Sequence, residues 1–393
     1  MANRFEVMRC VIAESPVSRQ RIATETGLSI ATVATVVGEL LAAGLLTEAG
    51  FEDSAGRPRG LLAADSAGGM LLGVDVAETY VRVDLFDAAL TFLDGAEEQL
   101  SPEEYRPDQV VGHIVSAVRT VLAHHGVSPQ RILGAGVSVP GQVDHRGGVS
   151  VFAPNWDWHD IPLGGLLAER LGIPTYLDNP LRAAIVAELW FGAGRRRDDV
   201  VVLNLGTGVG AGLAFGGNLY RGATNSAGEW GHTTLVMDGR PCHCGGRGCV
   251  ETYVGAPGIV QHLRELDSGS PMLHRNDQTA TIDALARGVA AGDPIAQKVI
   301  AETARYLGAA VANLINLLNP EVIVLSSWVA SRLGEPLLTE VQAVVSRYAL
   351  GRPLVATRIV RSTLPGDAVS LGAATLALEE FLSDLTSKPA VRR

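Results

Sequence analysis

Apolar residues recur at helical spacing at Phe5, Met8, Val11 and Ile12, and Pro16 ends that first run. A second short helix is predicted after Ser18, an N-capping residue type, with Ile22 and Ala23 facing inward. Thr26-Gly27-Leu28 then makes a tight turn in which Gly27 suits a positive φ, and Ser29 caps a third helix carrying Val33, Val36, Val37, Leu40 and Leu41. Two short strands follow at residues 45–48 and 60–63, joined by a polar loop that contains Gly56-Arg57-Pro58-Arg59. Helix, turn, capped helix and hairpin in this order predict a winged helix-turn-helix over residues 1–65.

Beyond residue 70 the period changes. Apolar runs at 71–76, 132–139, 200–205 and 322–325 read as buried strands, and helical stretches such as 109–125, 181–190 and 296–318 lie between them. Strands alternating with helices predict an α/β body. Residues 66–70 read as a short linker and 266–280 as a polar loop. The strand ends Leu72-Gly73-Val74-Asp75 and Leu203-Asn204-Leu205-Gly206 resemble each other, which predicts two related lobes: 71–180, completed by a C-terminal helix at 367–384, and 181–366.

Composition narrows the classes. Of 393 residues, 47% are hydrophobic, and 32 basic against 42 acidic residues leave a net charge of -10, so bulk charge does not drive the chain onto nucleic acid or an anionic membrane. Any contact with nucleic acid is local. Residues 1–60 hold six arginines against seven acids, but Arg19 and Arg21 sit beside the turn and Arg57 and Arg59 on the wing. Helix-turn-helix geometry directs Ser29, Ala31, Thr32 and Thr35 at the major groove, with Arg19, Arg57 and Arg59 reaching phosphate or a minor groove. The competing reading is a helical module used only for dimerisation. Four cysteines are too few for a disulfide scaffold, Met1 is followed by Ala2-Asn3-Arg4, and the apolar stretch 200–217 is broken by Asn204 and Thr207. A cytoplasmic protein with reduced thiols is expected.

Three of the cysteines fall in Cys242-His243-Cys244-Gly245-Gly246-Arg247-Gly248-Cys249, and His232 lies ten residues upstream of the first. Three thiolates threaded by glycines, plus one imidazole, suit a closed tetrahedral Zn2+ site, hence a structural ion, one per chain. A redox pair with a spare thiol is the alternative. Beside the cluster, Glu229 and Glu251 could accept hydrogen bonds from vicinal sugar hydroxyls, or could simply be solvated acids. Trp156 and Trp158 could stack on a pyranose face or serve as packing.

The runs 204–212, 217–223 and 228–232, with the cysteine motif and Glu251, resemble the signature of the ROK family of bacterial repressors and sugar kinases. The N-terminal segment is similar to the winged helix of the family's repressor branch. Gly366-Asp367-Ala368 and Leu371-Gly372-Ala373-Ala374 also fit. The resemblance implies an actin-like, sugar kinase (ribonuclease H-like) body whose two lobes close on a sugar held by Gly141, Asn155, Asn179, Glu229, His232 and Glu251.

Departures from the kinase pattern concern the nucleotide side. Pro180 stands where family kinases carry the catalytic aspartate, and proline takes up no proton; Asp178, two residues earlier, is the only nearby substitute. The first phosphate loop runs from Asp75 to Thr79 with Ala77 and Glu78 inside it, and Trp328 stands where a glycine-rich turn would admit adenosine. Gly206, Thr207 and Gly208 alone keep the kinase pattern, so these loops read as vestigial. The expectation is a sugar-responsive repressor that binds operator DNA as a homodimer or homotetramer and catalyses nothing. Its rivals are an ATP-dependent sugar kinase with an added DNA-binding domain, and a sugar-binding protein whose N-terminal domain meets another protein.

Overall fold

The computed structural model describes residues 2–53, 58–364 and 367–385; Gly56, Arg57 and Gly366 lie outside the described residues. The chain falls into two compact units, Met1–Ala183 with Val369–Arg393, and Ala184–Ala368.

The first unit begins with helices α1 (Ala2–Glu14), α2 (Arg19–Thr26) and α3 (Ile30–Ala42) and strands β1 (Val17–Ser18), β2 (Leu46–Glu52) and β3 (Arg59–Ala64). Of the expected inward set the helices bury Met8, Val11, Ile22, Val33, Val36, Val37 and Leu40, and Val7 with them, while Phe5, Ile12, Ala23 and Leu41 are only half-buried. Gly27 has φ 69°, and the Ser29 hydroxyl accepts from the Thr32 amide at 3.1 Å, a cap worth about 1 kcal/mol. Ser18 differs from expectation. It occupies the cap position of α2 without a side-chain cap bond, because it is buried in β1, paired with Leu61 of β3. The wing sheet therefore has three strands, ordered β1-β3-β2. Two residues are too few for an alternation to announce β1 in the sequence.

Residues 66–70 fold as a turn. Asp65 accepts from the Ala67 amide at 2.9 Å to cap a 3-10 turn at Ser66–Gly68, and Arg131 donates to the Ala67 carbonyl at 2.8 Å. Met70 already belongs to β4 (Met70–Val76).

The rest of the first unit contains β5 (Tyr80–Asp87), β6 (Phe92–Gln99), α4 (Pro107–His125), β7 (Ile132–Ser138), β8 (Gln142–Asp144), β9 (Val149–Ala153), β10 (Trp158–Ile161), α5 (Leu163–Leu171) and β11 (Thr175–Asp178). Helix α6 (Pro180–Phe191) leads into the second unit, with β12 (Val200–Leu205), β13 (Val209–Phe215), β14 (Asn218–Leu219), α7 (Glu251–Val254), α8 (Ala256–Leu266), α9 (Gln278–Ala290) and α10 (Pro294–Leu318). Strand β15 (Val322–Ser326), α11 (Ser327–Tyr348), α12 (Gly351–Ala356), β16 (Arg358–Arg361) and α13 (Ala368–Asp384) follow.

Each unit is built on one five-stranded sheet, ordered β11-β7-β4-β5-β6 in the first and β16-β15-β12-β13-β14 in the second. In both, a central strand pairs antiparallel with the next strand of the chain and parallel with a later one. The coarse repetition of strand ends thus corresponds to two sheets of one design. Buried aliphatics such as Leu72, Val83 and Ile114 form the first core, and Leu203, Val311 and Ile323 belong to the second.

Helix α13 returns to the first sheet at very short range. A Cβ on Gly136 of β7 would collide with the Ala373 carbonyl, and one on Gly372 with the Ala183 carbonyl of α6, so these contacts exist only because both residues are glycine. The Ser370 hydroxyl donates to the buried Asp84 carboxylate beside them.

Candidate functional site

The cysteine motif folds as a compact knuckle. Its ends are tied by antiparallel bridges between Thr234 and Cys249 and between Pro241 and Arg247. Gly248, with φ 72°, packs so closely that a Cβ would collide with the Val236 carbonyl. The ligating atoms of His232, Cys242, Cys244 and Cys249 all lie within 4.8 Å of one another. Cys244 and Cys249 sulfurs are 3.7 Å apart, and Cys242 Sγ is 3.6 Å from His232 Nδ1. Tetrahedral corners at Zn–S of ~2.3 Å and Zn–N of ~2.0 Å stand ~3.5–3.8 Å apart, so the cluster has the dimensions of a four-coordinate metal site. Burial pushes the Cys242 thiol up to about 12 and raises that of Cys249, whereas the Gly246 amide lowers that of Cys244. A cation here displaces thiol protons, which makes its binding proton-linked.

Arg240, absent from the sequence-level candidates, anchors the knuckle. It donates to the carbonyls of Thr252 at 3.0 Å and Gly258 at 3.3 Å and to Glu265 at 2.7 Å, while its own amide donates to the Tyr253 hydroxyl at 3.0 Å. An arginine two residues before the first cysteine is the only signal the sequence offered.

Glu251 opens α7 and joins the knuckle to the glycine turn 206–208. One carboxylate oxygen accepts from the Val209 amide at 3.0 Å, and the other lies 3.7 Å from Cys242 Sγ. Glu229 is exposed, with its carboxylate 3.9 Å from His232 Nε2. Within the turn the Gly206 amide donates to the Gly208 carbonyl at 3.1 Å, and Thr207 is half-buried. The Trp328 indole nitrogen is 3.1 Å from the point where a Gly206 Cβ would stand, so the indole covers this turn. Arg332 stacks over that ring at 5.2 Å.

In the first unit the other candidates occupy a tight polar arrangement. Asn179 caps α6: its oxygen accepts from the Leu181 amide at 2.8 Å, and its nitrogen donates to the Gly141 carbonyl at 3.0 Å. Pro180 is thus the first residue of the helix, a position that needs no amide proton. Asp178 is buried and accepts from Arg182 at 3.1 Å and from the Asn179 amide at 2.9 Å, so its carboxylate is committed inside the protein. Asn155 is exposed and donates to Glu78 at 3.4 Å. The Tyr80 hydroxyl donates to Asp75 at 2.8 Å, and Thr79 is exposed. Trp156 and Trp158 are 5% and 2% exposed; Trp156 packs edge-on against Trp158 at a centroid distance of 4.7 Å and stacks on Tyr105 at 5.3 Å, so they serve as core. Gly141, Asn155 and Asn179 belong to the first unit, and Glu229, His232 and Glu251 to the second.

In the N-terminal module, α2, the start of α3 and β3 line a groove of about 670 Å³ that includes Arg19, Gln20, Ile30 and Arg59. Ser29 and Thr35 are exposed and Thr32 is half-exposed. Arg21 is paired with Glu25 at 3.0 Å, whereas Arg59 lies 3.9 Å from Glu52, with both side chains about half exposed.

A winged-helix module, a body with two sheets of one design and a Cys3His knuckle together define a transcription-regulator architecture on a sugar kinase fold. The chain belongs to the ROK family, whose model matches residues 71–380. The xylose repressor of Caldicellulosiruptor bescii is 27% identical over 388 residues, covering 97% of this chain and 96% of its own. A glucokinase of Halalkalibacterium halodurans is 32% identical over 320 residues, covering 79% of this chain and 95% of its own. A solved ROK family transcriptional regulator, described as a homolog of the E. coli MLC protein, superposes with a TM-score of 0.80 at 25% identity and covers 98% of both chains. Among the described residues, no single helix is long and apolar enough to cross a membrane.

Proposed function

We propose that this protein is a sugar-responsive transcriptional repressor acting in the cytoplasm as a homodimer or homotetramer. The observation that carries the reading is the match of a xylose repressor to 97% of the chain, a span that takes in the winged-helix module. Operator DNA is met by Ser29, Thr32 and Thr35 of α3, with Arg19, Arg57 and Arg59 on phosphate. A sugar is held by the body through Gly141, Asn155, Asn179, Glu229, His232 and Glu251. Sugar binding then alters the spacing of the two recognition helices in the dimer, which must match half-sites about one helical turn apart. The knuckle ion is Zn2+, structural because protein fills all four corners, and it fixes the loop that carries Glu251.

Phosphoryl transfer is lost on this reading. Pro180 replaces the base, Asp178 is committed to Arg182, and Trp328 covers the Gly206 turn. The glucokinase relatives favour a second reading, a kinase with an added DNA-binding domain. Two measurements separate them. Gel shifts on the upstream region of the protein's own gene, at ~100 mM salt and with a panel of sugars including xylose and glucose, should give a retarded band that one sugar changes. A coupled assay with ATP and the same sugars should give no ADP; sustained turnover sinks the repressor-only reading, and a missing band sinks the DNA reading.

A further inference from the structure

The surface of α3 carries an inference about which bases the protein reads, resting on the DNA reading above. From Ser29 to Gly38 the helix contains no Lys, Arg, Asn, Gln or His, the side chains that make paired hydrogen bonds to guanine or adenine in the major groove. Glu39, which could accept from cytosine, is held by Arg4 at 2.6 Å. The three hydroxyls on this stretch are engaged within the helix: Ser29 with the Thr32 amide and the Thr32 hydroxyl, at 3.1 and 2.8 Å, and Thr35 with the Ala31 carbonyl at 3.1 Å. Beside the exposed Ser29 and Thr35, the rest of the outward face of this stretch is hydrocarbon, with Ile30 54% exposed and Ala31 and Ala34 exposed. Ile30 also lines the groove that Arg19 and Arg59 line, which puts an apolar side chain in the same groove as two cations suited to phosphate.

In the major groove, the one apolar group a base edge offers is the C5-methyl of thymine. We infer that this protein recognises its operator through thymine methyl groups, with Ile30 as the principal contact and the small side chains at 31, 34 and 35 allowing close approach of the helix. The operator half-sites are accordingly rich in A·T pairs, with thymines at fixed positions.

The test selects binding sites from random duplexes with the full-length protein at ~100 mM salt, then replaces conserved thymines by uracil, which removes the methyl and keeps the pairing. Each such replacement should weaken binding about fourfold, the worth of one buried methylene-sized group. Ile30→Ser should weaken binding to the thymine duplex and erase the difference between thymine and uracil. Guanines at the fixed positions, or equal affinity for thymine and uracil duplexes in the unaltered protein, overturn this inference and leave DNA binding intact. Failure to retain any duplex overturns both.

Discussion

The turn between β4 and β5 and the turn between β12 and β13 occupy the same place in two sheets of one design, yet they have been finished differently. In the first, protein groups consume the polar atoms: Tyr80 bonds Asp75 at 2.8 Å, and the Tyr105 hydroxyl bonds the Glu78 carbonyl at 2.6 Å. In the second, the Trp328 indole covers Gly206, and Glu251 connects the turn to the cysteine knuckle through the Val209 amide. Strand order therefore does not decide what a hairpin can bind. Side chains at a few turn positions do, and here they close one turn while coupling the other to the cysteine loop.

The comparison can be broken most sharply at the knuckle. Cys249→Ser should abolish stoichiometric metal by elemental analysis and cost the second unit more than about 4 kcal/mol, as loss of a structural metal does. Hydrogen exchange should then accelerate at residues 206–210 and 240–255 and not in β4 or β5; retained metal contradicts the ligand set. A smaller effect is expected from Glu251→Leu, about 1–3 kcal/mol, because the Val209 amide is left buried without an acceptor. That variant should also lose its response to sugar in gel shifts, whereas Glu251→Gln should keep most of the stability. On the other side of the comparison, Tyr80→Phe should cost about 1 kcal/mol by urea unfolding, confined to the first unit, and should yield no ADP from ATP and hexose. ADP release would identify the closed turn as the block.

The smallest effect is in pH, and its sign differs between the units. For His113 in α4, burial lowers the pKa, but the hydrogen bonds it donates to the Glu98 and Glu104 carboxylates outweigh it and the net shift is upward. Its contribution is complete below the unfolded value of ~6.5 and fades as pH rises through the folded pKa. His262 in α8 is shifted down, first by burial and then by Arg240, against the Tyr253 carbonyl, Glu302 and Glu265. Its contribution is present above ~6.5 and fades as pH falls through the folded pKa. Local stability by hydrogen exchange between pH 5 and 8 should show opposite slopes near the two residues, and His113→Gln should flatten only the first.

What the sequence made legible is what is local in it. Helical spacing, Gly27 and the Ser29 cap delimit the winged helix because each acts within one turn of chain. The His232 and three-cysteine cluster was readable because its three cysteines lie within eight residues. Pro180 stood out against the kinase pattern, but not that it begins a helix capped by Asn179. The bond from Tyr80 to Asp75 is formed across a hairpin, and Arg182 holds Asp178 one helical turn away, so both were within reach of a closer reading. Contacts between distant segments were not: the indole of Trp328 against Gly206, or Ala373 against Gly136, depends on tertiary approach that no periodicity encodes. Trp156 and Trp158 show the limit in reverse, since an aromatic beside a candidate site has the same letter whether it binds or packs.

The close seat of α13 on the first sheet has a consequence for synthesis. The second unit, Ala184–Ala368, is continuous in the chain, whereas the first needs both Met1–Ala183 and Val369–Arg393. During translation the second unit has all its residues while the first still lacks the helix that seats against Gly136 and supplies Ser370 to Asp84. A messenger cut short after residue 364 therefore yields a first unit whose five-stranded sheet lacks the helix that covers Gly136.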